Sequence, residues 1–301
     1  MRLKFHTLDV FTSTRFGGNP LAVVLDADAL ETSSMQAIAR EFNLSETVFV
    51  TKPSNPAHSA RARIFTPASE IPFAGHPTVG TAILLAQLRA PAGGGSRDAI
   101  IALEEHIGVV RVGVRLPAGK QPFAEFDAPK LPEDMGSVPA MEDIAAAVGL
   151  IPSEIGFENH RPTRFSAGLP YHFIPVRTLA AIRRARPDSS RWLQTFGPVG
   201  AAYIYCRETE HNSAAFHARM FDPGHGIPED PATGSAAAAF AGVVARFDEP
   251  PGGEHRYEIE QGFEMGRPSR IKLSIVMGDG QLQTVRIGGH AVRVMDGEIE
   301  V

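Results

Sequence analysis

The residues best suited to proton chemistry stand beside turns that lead into apolar segments. Glu46 precedes an apolar run, and burial there would raise the pKa of its carboxyl group towards the range of proton transfer. His76 and Asp230 each stand at the predicted start of an apolar helix. From spacing alone, Glu46 could equally face solvent, His76 could be a packed residue and Asp230 a helix cap. These three residues are the candidate acid/base groups.

Small residues at the same two helix starts are typical of a turn that binds an anion. Gly75 lies at the first start, and Thr233, Gly234 and Ser235 lie at the second. Glycine lets a ligand approach the backbone closely. The free N–H groups of a helix N-terminus attract carboxylates and phosphates. We expect these residues, together with Asn19, to contact a substrate without taking part in the chemistry.

Several other kinds of site are not indicated by the sequence. None of the eleven histidines belongs to a metal-binding pattern, so no metal is expected. There is no glycine-rich nucleotide motif, so no cofactor is expected either. The serine-nucleophile elbow of the hydrolases is also absent from the sequence. Three histidines surround the second helix start, but their spacing suits no single face, and we expect them to be exposed: His211, His217 and His225.

The second half of the chain repeats the first. Arg-x-Phe-x-Pro occurs at 63–67 and again at 219–223, which is 156 residues later. Alignment without gaps pairs Glu46 with Ala202, and a slip of two residues pairs His76 with Asp230. A repeat of this length predicts two similar domains, whose helix starts are expected to face each other across a cleft. Only the first half then carries an acid/base group at the position of Glu46.

Length and composition are those of an ordinary globular protein. The chain has 301 residues, of which 43% are hydrophobic and 21% charged, and its net charge is −5. This charge gives no electrostatic footprint for nucleic acid or anionic membrane. A single cysteine and the lack of a signal-like or membrane-spanning run favour the cytoplasm.

The elements that must position the candidate residues can be predicted from periodicity. Helices are expected at 33–42, 78–88, 141–148 and 233–244, and the second and fourth are apolar on every face, which predicts burial. Short strands fill much of the remainder, including 283–287 and 291–294, and 91–98 is predicted as a loop. A Pro- and Lys-rich stretch suggests domains 1–118 and 119–301, although the last strand could pack back on the first domain. The predicted class is α+β with two barrel-like domains.

Five motifs together resemble the PhzF family of phenazine-biosynthesis-like isomerases. They span nearly the whole chain: Gly-Gly-Asn-Pro-Leu-Ala-Val at 17–23, Leu-Ser-Glu-Thr-Val-Phe at 44–49, Ala-Gly-His-Pro-Thr-Val-Gly-Thr-Ala at 74–82, Glu-Asp-Pro-Ala-Thr-Gly-Ser-Ala at 229–236, and Gln-Gly-x-x-Met-Gly-Arg-Pro-Ser at 261–269. The resemblance implies the diaminopimelate-epimerase fold: two pseudo-symmetric barrels, each around a central helix, with the active site between them.

The resemblance also implies roles for individual residues. Glu46 falls on the family's acid/base, and His76 and Asp230 fall on the assisting residues. Gly75 and Ser235 fall on residues that hold the substrate carboxylate. The wider fold includes racemases that use one cysteine from each half, but neither helix start has a thiol here and Cys206 lies in a predicted strand. Two-thiol racemisation is therefore not expected.

The sequence as a whole predicts a cofactor-independent isomerase that moves a proton on a small carboxylate-bearing metabolite. Glu46 would be both the base and, once protonated, the donor. The alternatives are a one-base epimerase or lyase, and a small-molecule binding protein that has kept the cleft without the chemistry. A homodimer is possible, and no nucleic acid or membrane partner is expected.

Overall fold

The computed structural model describes residues 1–90 and 95–301, except for the side chain of His225. By its contacts the chain divides into two units. Unit 1 contains Met1–Asp127 and Gly288–Val301, and unit 2 contains Ala128–Ile287. The domain boundary after residue 118 stays a prediction. No helix of the described residues has both the length and the apolar character needed to cross a membrane.

Strands outnumber helices in the described part of the chain. The helices are α1 (Thr32–Phe42), α2 (Gly75–Arg89), α3 (Met141–Ala147), α4 (Leu179–Arg184), α5 (Ser189–Phe196) and α6 (Gly234–Phe247). The strands are β1 (Arg2–Val10), β2 (Asn19–Val24), β3 (Glu46–Thr51), β4 (Ala60–Phe65), β5 (Glu70–Ile71), β6 (Arg97–Glu105), β7 (Gly108–Leu116), β8 (Phe123–Asp127), β9 (Glu133–Asp134), β10 (Thr163–Ser166), β11 (Pro170–Pro175), β12 (Ala201–Cys206), β13 (Phe216–Asp222), β14 (Ile227–Asp230), β15 (Gly253–Gln261), β16 (Ser269–Gly278) and β17 (Gln281–Glu300).

Unit 1 is a closed β-barrel. Strand β1 pairs antiparallel with both β17 and β2, and β2 continues in parallel to β3. Strand β3 pairs antiparallel with β4, which runs parallel to β6. Strands β6, β7 and β8 form an antiparallel meander, and β8 pairs with β17, which closes the ring. Such a closed sheet leaves no free edge along the ring.

Helix α2 is enclosed by the strands of unit 1. Every residue from Gly75 to Ala86 is buried, and the helix contacts β1, β2, β3, β6, β7 and β8. A Cβ atom at Gly80 would lie 2.6 Å from Leu21 and 2.7 Å from Val10, so only glycine permits this close approach. The enclosure explains why the helix sequence is apolar on every face.

Unit 2 places α6 against a core of aromatic rings. Its strands pair in the order β10, β11, β12, β13, β15 and β16, with parallel pairs at β11–β12 and β13–β15. The ring of Phe240 in α6 lies within 5.8 Å of four other rings. These rings belong to Phe173, Tyr203, Tyr205 and Phe216. Burial of this cluster anchors the helix whose start carries the second group of candidate residues.

Several predicted boundaries differ from the observed ones. Helix α2 begins three residues early, at Gly75, and therefore includes His76. Helix α6 begins at Gly234, so Asp230 ends strand β14 instead of opening the helix. The two predicted strands 283–287 and 291–294 are one strand, β17. Of the predicted loop 91–98, residues 91–94 lie outside the described residues, and Arg97 begins β6.

The strand registers also correct the alignment of the repeat. Thr47 is paired with Phe65 in unit 1, and Ala202 is paired with Phe221 in unit 2. Because Phe65 and Phe221 occupy the same place in the repeat, Ala202 corresponds to Thr47. The counterpart of Glu46 is therefore Ala201. Since that residue is also alanine, the expectation that one half lacks the carboxylate is unaffected.

Candidate active site

Glu46 is held at the first position of β3. Asn43 ends α1 in the left-handed conformation, with φ at 50°, and the chain then turns into the strand. Strand β2 fixes the position of the carboxylate-bearing residue through the parallel pairing of Leu21 with Glu46. The side chain of Glu46 is 13% exposed, and its Oε2 lies 3.4 Å from Nε2 of His76. The structure thus brings together two of the three predicted acid/base residues.

His76 is a buried, neutral imidazole in the first turn of α2. Burial lowers its pKa to about 3, and a hydrogen bond to the carbonyl of Pro20 offsets this only in part. Nε2 makes no hydrogen bond to any described residue. Since a carbonyl only accepts, Nδ1 carries the ring proton and donates a hydrogen bond to the carbonyl of Pro20. Nε2 therefore presents a lone pair to Glu46.

The two side chains form a pair that can share one proton. The 3.4 Å between Oε2 of Glu46 and Nε2 of His76 is longer than a normal hydrogen bond. Catalytic hydrogen bonds are often this long without substrate and shorten in the reacting complex. A carboxylic acid at Glu46 could donate to Nε2, whereas the carboxylate could take a proton from a substrate. This is the chemistry of a single acid/base group beside a polar acceptor.

In unit 2, Asp230 belongs to a small polar network at the entrance of α6. Thr233 donates from Oγ1 to Oδ2 of Asp230 over 2.5 Å. Gln261 donates from Nε2 to the carbonyl of Asp230 and to Oγ1 of Thr233, and its Oε1 accepts from the backbone N–H of Thr233. Asp230 is 6% exposed and Gln261 is fully buried. The network fixes the turn that leads into the helix.

Asp230, which could have been a helix cap on spacing alone, is not the N-cap residue of α6. Thr233 is the N-cap of α6, but its side chain makes no capping hydrogen bond to the helix N–H groups. Its hydroxyl is instead directed to Asp230. Gln261 was not recognised as a site residue, although it begins the motif at 261–269. Gly262 beside it requires glycine, because φ is 76° and a Cβ atom would lie 2.5 Å from the carbonyl of Pro231.

The hydroxyl group of Ser235 contacts a tyrosine that was not among the predicted site residues. Its Oγ lies 2.7 Å from the hydroxyl of Tyr171, which is 5% exposed at the start of β11. Gly234, the first residue of α6, is buried beside it. Of the other predicted contact residues, Gly75 opens α2 and Asn19 is fully buried at the start of β2. The sequence signal that could have identified Tyr171 is weak: it follows Gly-Leu-Pro at 168–170, which resembles Gly-Asn-Pro at 18–20 in the first half.

The histidines near the second turn do not behave as one exposed group. His211 is 48% exposed, as predicted. His217 is completely buried between Glu260 and Glu264, so the prediction that it is exposed was wrong. Burial lowers the pKa of His217, but the hydrogen bonds to both glutamates outweigh it and raise the value to about 9. The side chain of His225 lies outside the described part of the chain.

The described residues offer no obvious site for a thiol or a metal mechanism. Cys206 is fully buried at the end of β12, and burial raises its pKa to about 12. A thiol with that pKa is protonated near neutral pH and is a poor base. Residues 1–90 and 95–301 contain no group of three or more His, Cys, Asp or Glu side chains placed to hold a metal ion.

Comparison with known proteins identifies the family. The family model for phenazine biosynthesis-like proteins, which covers PhzC and PhzF, matches residues 8–297. The chain belongs to this family. It is an enzyme, of the isomerase class. The family resemblance inferred from the five motifs is thereby confirmed.

Two relatives and one solved structure illustrate the similarity. An uncharacterized isomerase of Mesorhizobium japonicum is 55% identical over 296 residues, covering 97% of this chain and 96% of the relative. The trans-2,3-dihydro-3-hydroxyanthranilate isomerase of Pseudomonas aeruginosa is 35% identical over 294 residues, or 98% of both chains. The crystal structure of a PhzF-family phenazine biosynthesis protein of Bacillus anthracis covers 100% of both chains at 25% identity, with a TM-score of 0.90.

Proposed function

We propose that this enzyme moves a proton between two carbons of a small carboxylate-bearing metabolite, with Glu46 as the only acid/base group. The observation that carries the proposal is the contact of Oε2 of Glu46 with Nε2 of neutral, buried His76. Glu46 removes the proton as a carboxylate and returns it as an acid. His76 accepts a hydrogen bond from the protonated form, which holds the carboxyl group between the two events.

The substrate carboxylate is assigned to the helix starts. The N–H groups of Gly75 and Ser235 stand at the N-termini of α2 and α6, where the helix dipole favours an anion. Asp230, held by Thr233 and Gln261, is assigned as the assisting group in unit 2. We also propose that unit 2 is a second barrel with the same plan as unit 1, as the internal repeat suggests.

The first substrate to test is trans-2,3-dihydro-3-hydroxyanthranilate, because the Pseudomonas aeruginosa relative is named for its isomerisation. The reaction as proposed needs no added cofactor, so turnover should survive dialysis against a chelator. If this substrate is bound but not turned over, a panel of related ring carboxylates tests the one-base epimerase or lyase. Binding without turnover across the whole panel would support the binding protein instead.

Isotope transfer tests the single-base mechanism directly. A single carboxylate removes the proton and returns it on the same face of the substrate. Deuterium placed on the donor carbon should therefore reach the accepting carbon on that face. If water reaches the site slowly, part of the deuterium stays in the product. NMR of the product from deuterated substrate measures both the face and the retention. Delivery to the opposite face would require a second base and would sink the mechanism.

A further inference from the structure

Glu105 is a buried carboxyl group that the proposed mechanism does not use. It is the last residue of β6, pairs with Gly108 across a tight turn, and is 8% exposed. Its Oε1 lies 2.8 Å from Oγ1 of Thr78, in the first turn of α2. Its Oε2 is buried and has no hydrogen-bond partner among the described residues. An ionised carboxylate with a buried, unsatisfied oxygen is expensive.

The direction of the hydrogen bonds of Thr78 depends on whether Glu105 carries a proton. Oγ1 of Thr78 is also 2.8 Å from the backbone carbonyl of Ala74. A hydroxyl has one proton to donate, and a carbonyl can only accept. When Thr78 donates to Ala74, Glu105 must be the donor to Thr78, and so it must be protonated. An ionised Glu105 would instead take the hydroxyl proton away from Ala74.

This chain of hydrogen bonds ends on the peptide group that precedes His76. Ala74 is the N-cap of α2, with φ −152° and ψ 140°, and it has no side-chain cap. Its carbonyl belongs to the same planar peptide unit as the N–H of Gly75. A change in the direction of the carbonyl therefore changes the direction of the N–H that we assign to the substrate carboxylate.

We propose that Glu105 is a positioning residue, which aims the N–H of Gly75 and fixes the first turn of α2 by donating its own proton through Thr78. The proposal rests on the function proposed above, because it concerns the turn that carries Gly75 and His76. Loss of the proton turns the hydroxyl of Thr78 away from the carbonyl of Ala74, which keeps the backbone N–H of Thr78 at 3.2 Å, and brings a negative charge to the helix start. Both changes weaken the binding of an anionic substrate.

The other unit has an uncharged residue in the corresponding place. Glu104 pairs with Arg61 across β6 and β4, and Glu260 pairs with His217 across β15 and β13, always 156 residues apart. Gln261 is therefore the counterpart of Glu105, and it binds Asp230 and Thr233 just before α6, whereas Glu105 binds Thr78 in the first turn of α2. A protonated carboxyl group can donate and accept as an amide does. Both side chains thus contact the beginning of the buried helix of their unit, and Glu105 does so with a proton that it can lose.

The surroundings of Glu105 favour its neutral form. Burial raises its pKa to about 8, and the hydrogen bond that Thr78 would donate to the ionised carboxylate opposes this only in part. On α2 the titratable residue in the same turn is His76, which is neutral. Of the charged residues on the paired strands, Arg61 on β4 and Arg111 and Arg115 on β7 are exposed, and half-buried Arg63 on β4 forms a salt bridge with Glu70. The adjacent Glu104 is held by Ser54, Asn55 and His58, and His106 is exposed and directed to Glu70.

Two NMR signals test the proposal without any substrate. The carboxyl carbon of Glu105, assigned by its absence in Glu105→Gln, should titrate with a midpoint of about 8. The amide signal of Gly75 should move with the same midpoint in the wild type and lose that transition in Glu105→Gln. Glu104→Gln is the control, since it removes the neighbouring carboxylate and should leave the Gly75 transition in place. A titration midpoint of Glu105 near its ordinary value of 4.5 would overturn the proposal. So would a Gly75 amide signal that does not change when Glu105 titrates.

Steady-state kinetics then separates positioning from simple packing. Glu105→Ala should raise KM by about tenfold, the loss of one hydrogen bond of about 1.4 kcal/mol, while kcat changes less. Glu105→Gln should restore most of that KM, because the amide can still donate to Thr78. Equal KM values for the two variants would contradict the proposal. Turnover by Glu46→Gln would instead contradict the proposed function and leave the NMR result standing.

Discussion

The two units share their structural ion pairs and differ in the residues around their helix starts. Arg63 forms a two-point salt bridge with Glu70 in unit 1, and Arg219 forms the same bridge with Glu229 in unit 2. The contacts are between 2.6 and 2.8 Å in both units. Such a paired, bidentate geometry holds the strand next to the helix start. Because the pair is common to both units, we assign it to the fold and not to the chemistry.

The same comparison distinguishes a second structural carboxylate, Glu104 in unit 1 and Glu260 in unit 2, from the proposed acid/base group Glu46. Glu104 accepts hydrogen bonds from two consecutive backbone N–H groups and from a histidine ring, and Glu260 does the same in unit 2. Where the units differ, unit 1 has Glu46 and unit 2 has Ala201 at the same position of the repeat. We therefore expect the acid/base chemistry to belong to unit 1.

The largest expected effect comes from removing the group that distinguishes the units. Glu46→Gln should leave the protein folded and lower kcat by about 10²–10⁴-fold, the usual cost of losing a general base. Glu41→Gln, an exposed glutamate of α1, is the matched control. Turnover and circular dichroism are measured on both variants. Near-wild-type turnover by the Glu46 variant would show that the base lies elsewhere.

Each unit has an equivalent structural carboxylate, Glu104 in unit 1 and Glu260 in unit 2, and a large loss of stability is expected when Glu260 is replaced. Glu260 is completely buried and carries two histidine contacts, whereas the side chain of Glu104 is 14% exposed and carries one. Glu260→Gln removes the negative charge beside buried His217 and replaces one of the two acceptor oxygens by an NH2 donor, and we expect a loss of about 3–5 kcal/mol in the free energy of unfolding. Glu104→Gln should cost less. Urea unfolding of both variants measures the difference, and equal losses would contradict this ranking.

Because of His217, the free energy of unfolding should decrease as the pH rises into the alkaline range. Its pKa in the folded state is about 9, above the ordinary value of 6.5, so its stabilising contribution is complete below about 6.5 and is lost as the pH rises through about 9. Its counterpart in unit 1 is Arg61, which does not titrate in this range. The stability difference between wild type and His217→Gln should therefore shrink over this window. Thermal unfolding of both proteins across the window measures it, and a constant difference would show that His217 is neutral.

The fold was predictable where a local pattern determines it. The all-round apolar character of α2 and α6 predicted buried helices, and the motifs singled out Glu46 and His76. Strand β17 was divided in the prediction because Gly288 and Gly289 resemble a break. The structure shows another reason for them, since Cβ atoms there would lie 2.7 Å from Glu125 and 2.4 Å from Phe11. Glycine here permits close packing inside a continuous strand.

The contacts that sequence reasoning missed join residues far apart in the chain. Gln261 reaches Asp230 across 31 residues, Ser235 reaches Tyr171 across 64, and His217 reaches Glu260 across 43. No local periodicity encodes such pairs, because they depend on which strands become neighbours. The roles proposed for Glu46, His76 and Asp230 stay predictions until they are tested.

The smallest effect is expected at the tyrosine that holds Ser235. In unit 1 the parallel pair is Leu21 with Glu46, and in unit 2 it is Tyr171 with Ala201, so the hydroxyl of Tyr171 has no counterpart at Leu21. Tyr171→Phe removes the 2.7 Å contact with Oγ of Ser235. A hydrogen bond of this kind contributes about 1 kcal/mol, which corresponds to an increase of about fivefold in KM.

The kinetic constant that changes decides what the contact is for. Ser235 is proposed to bind the substrate carboxylate and to take no part in proton transfer, so kcat should change little in Tyr171→Phe. Tyr257→Phe, a half-buried tyrosine of β15 in the same unit, is the control for loss of a hydroxyl group. If kcat fell while KM stayed constant, Ser235 would act in the chemical step. The proposal that unit 1 supplies the acid/base chemistry and Ser235 of unit 2 only binds the substrate would then be wrong.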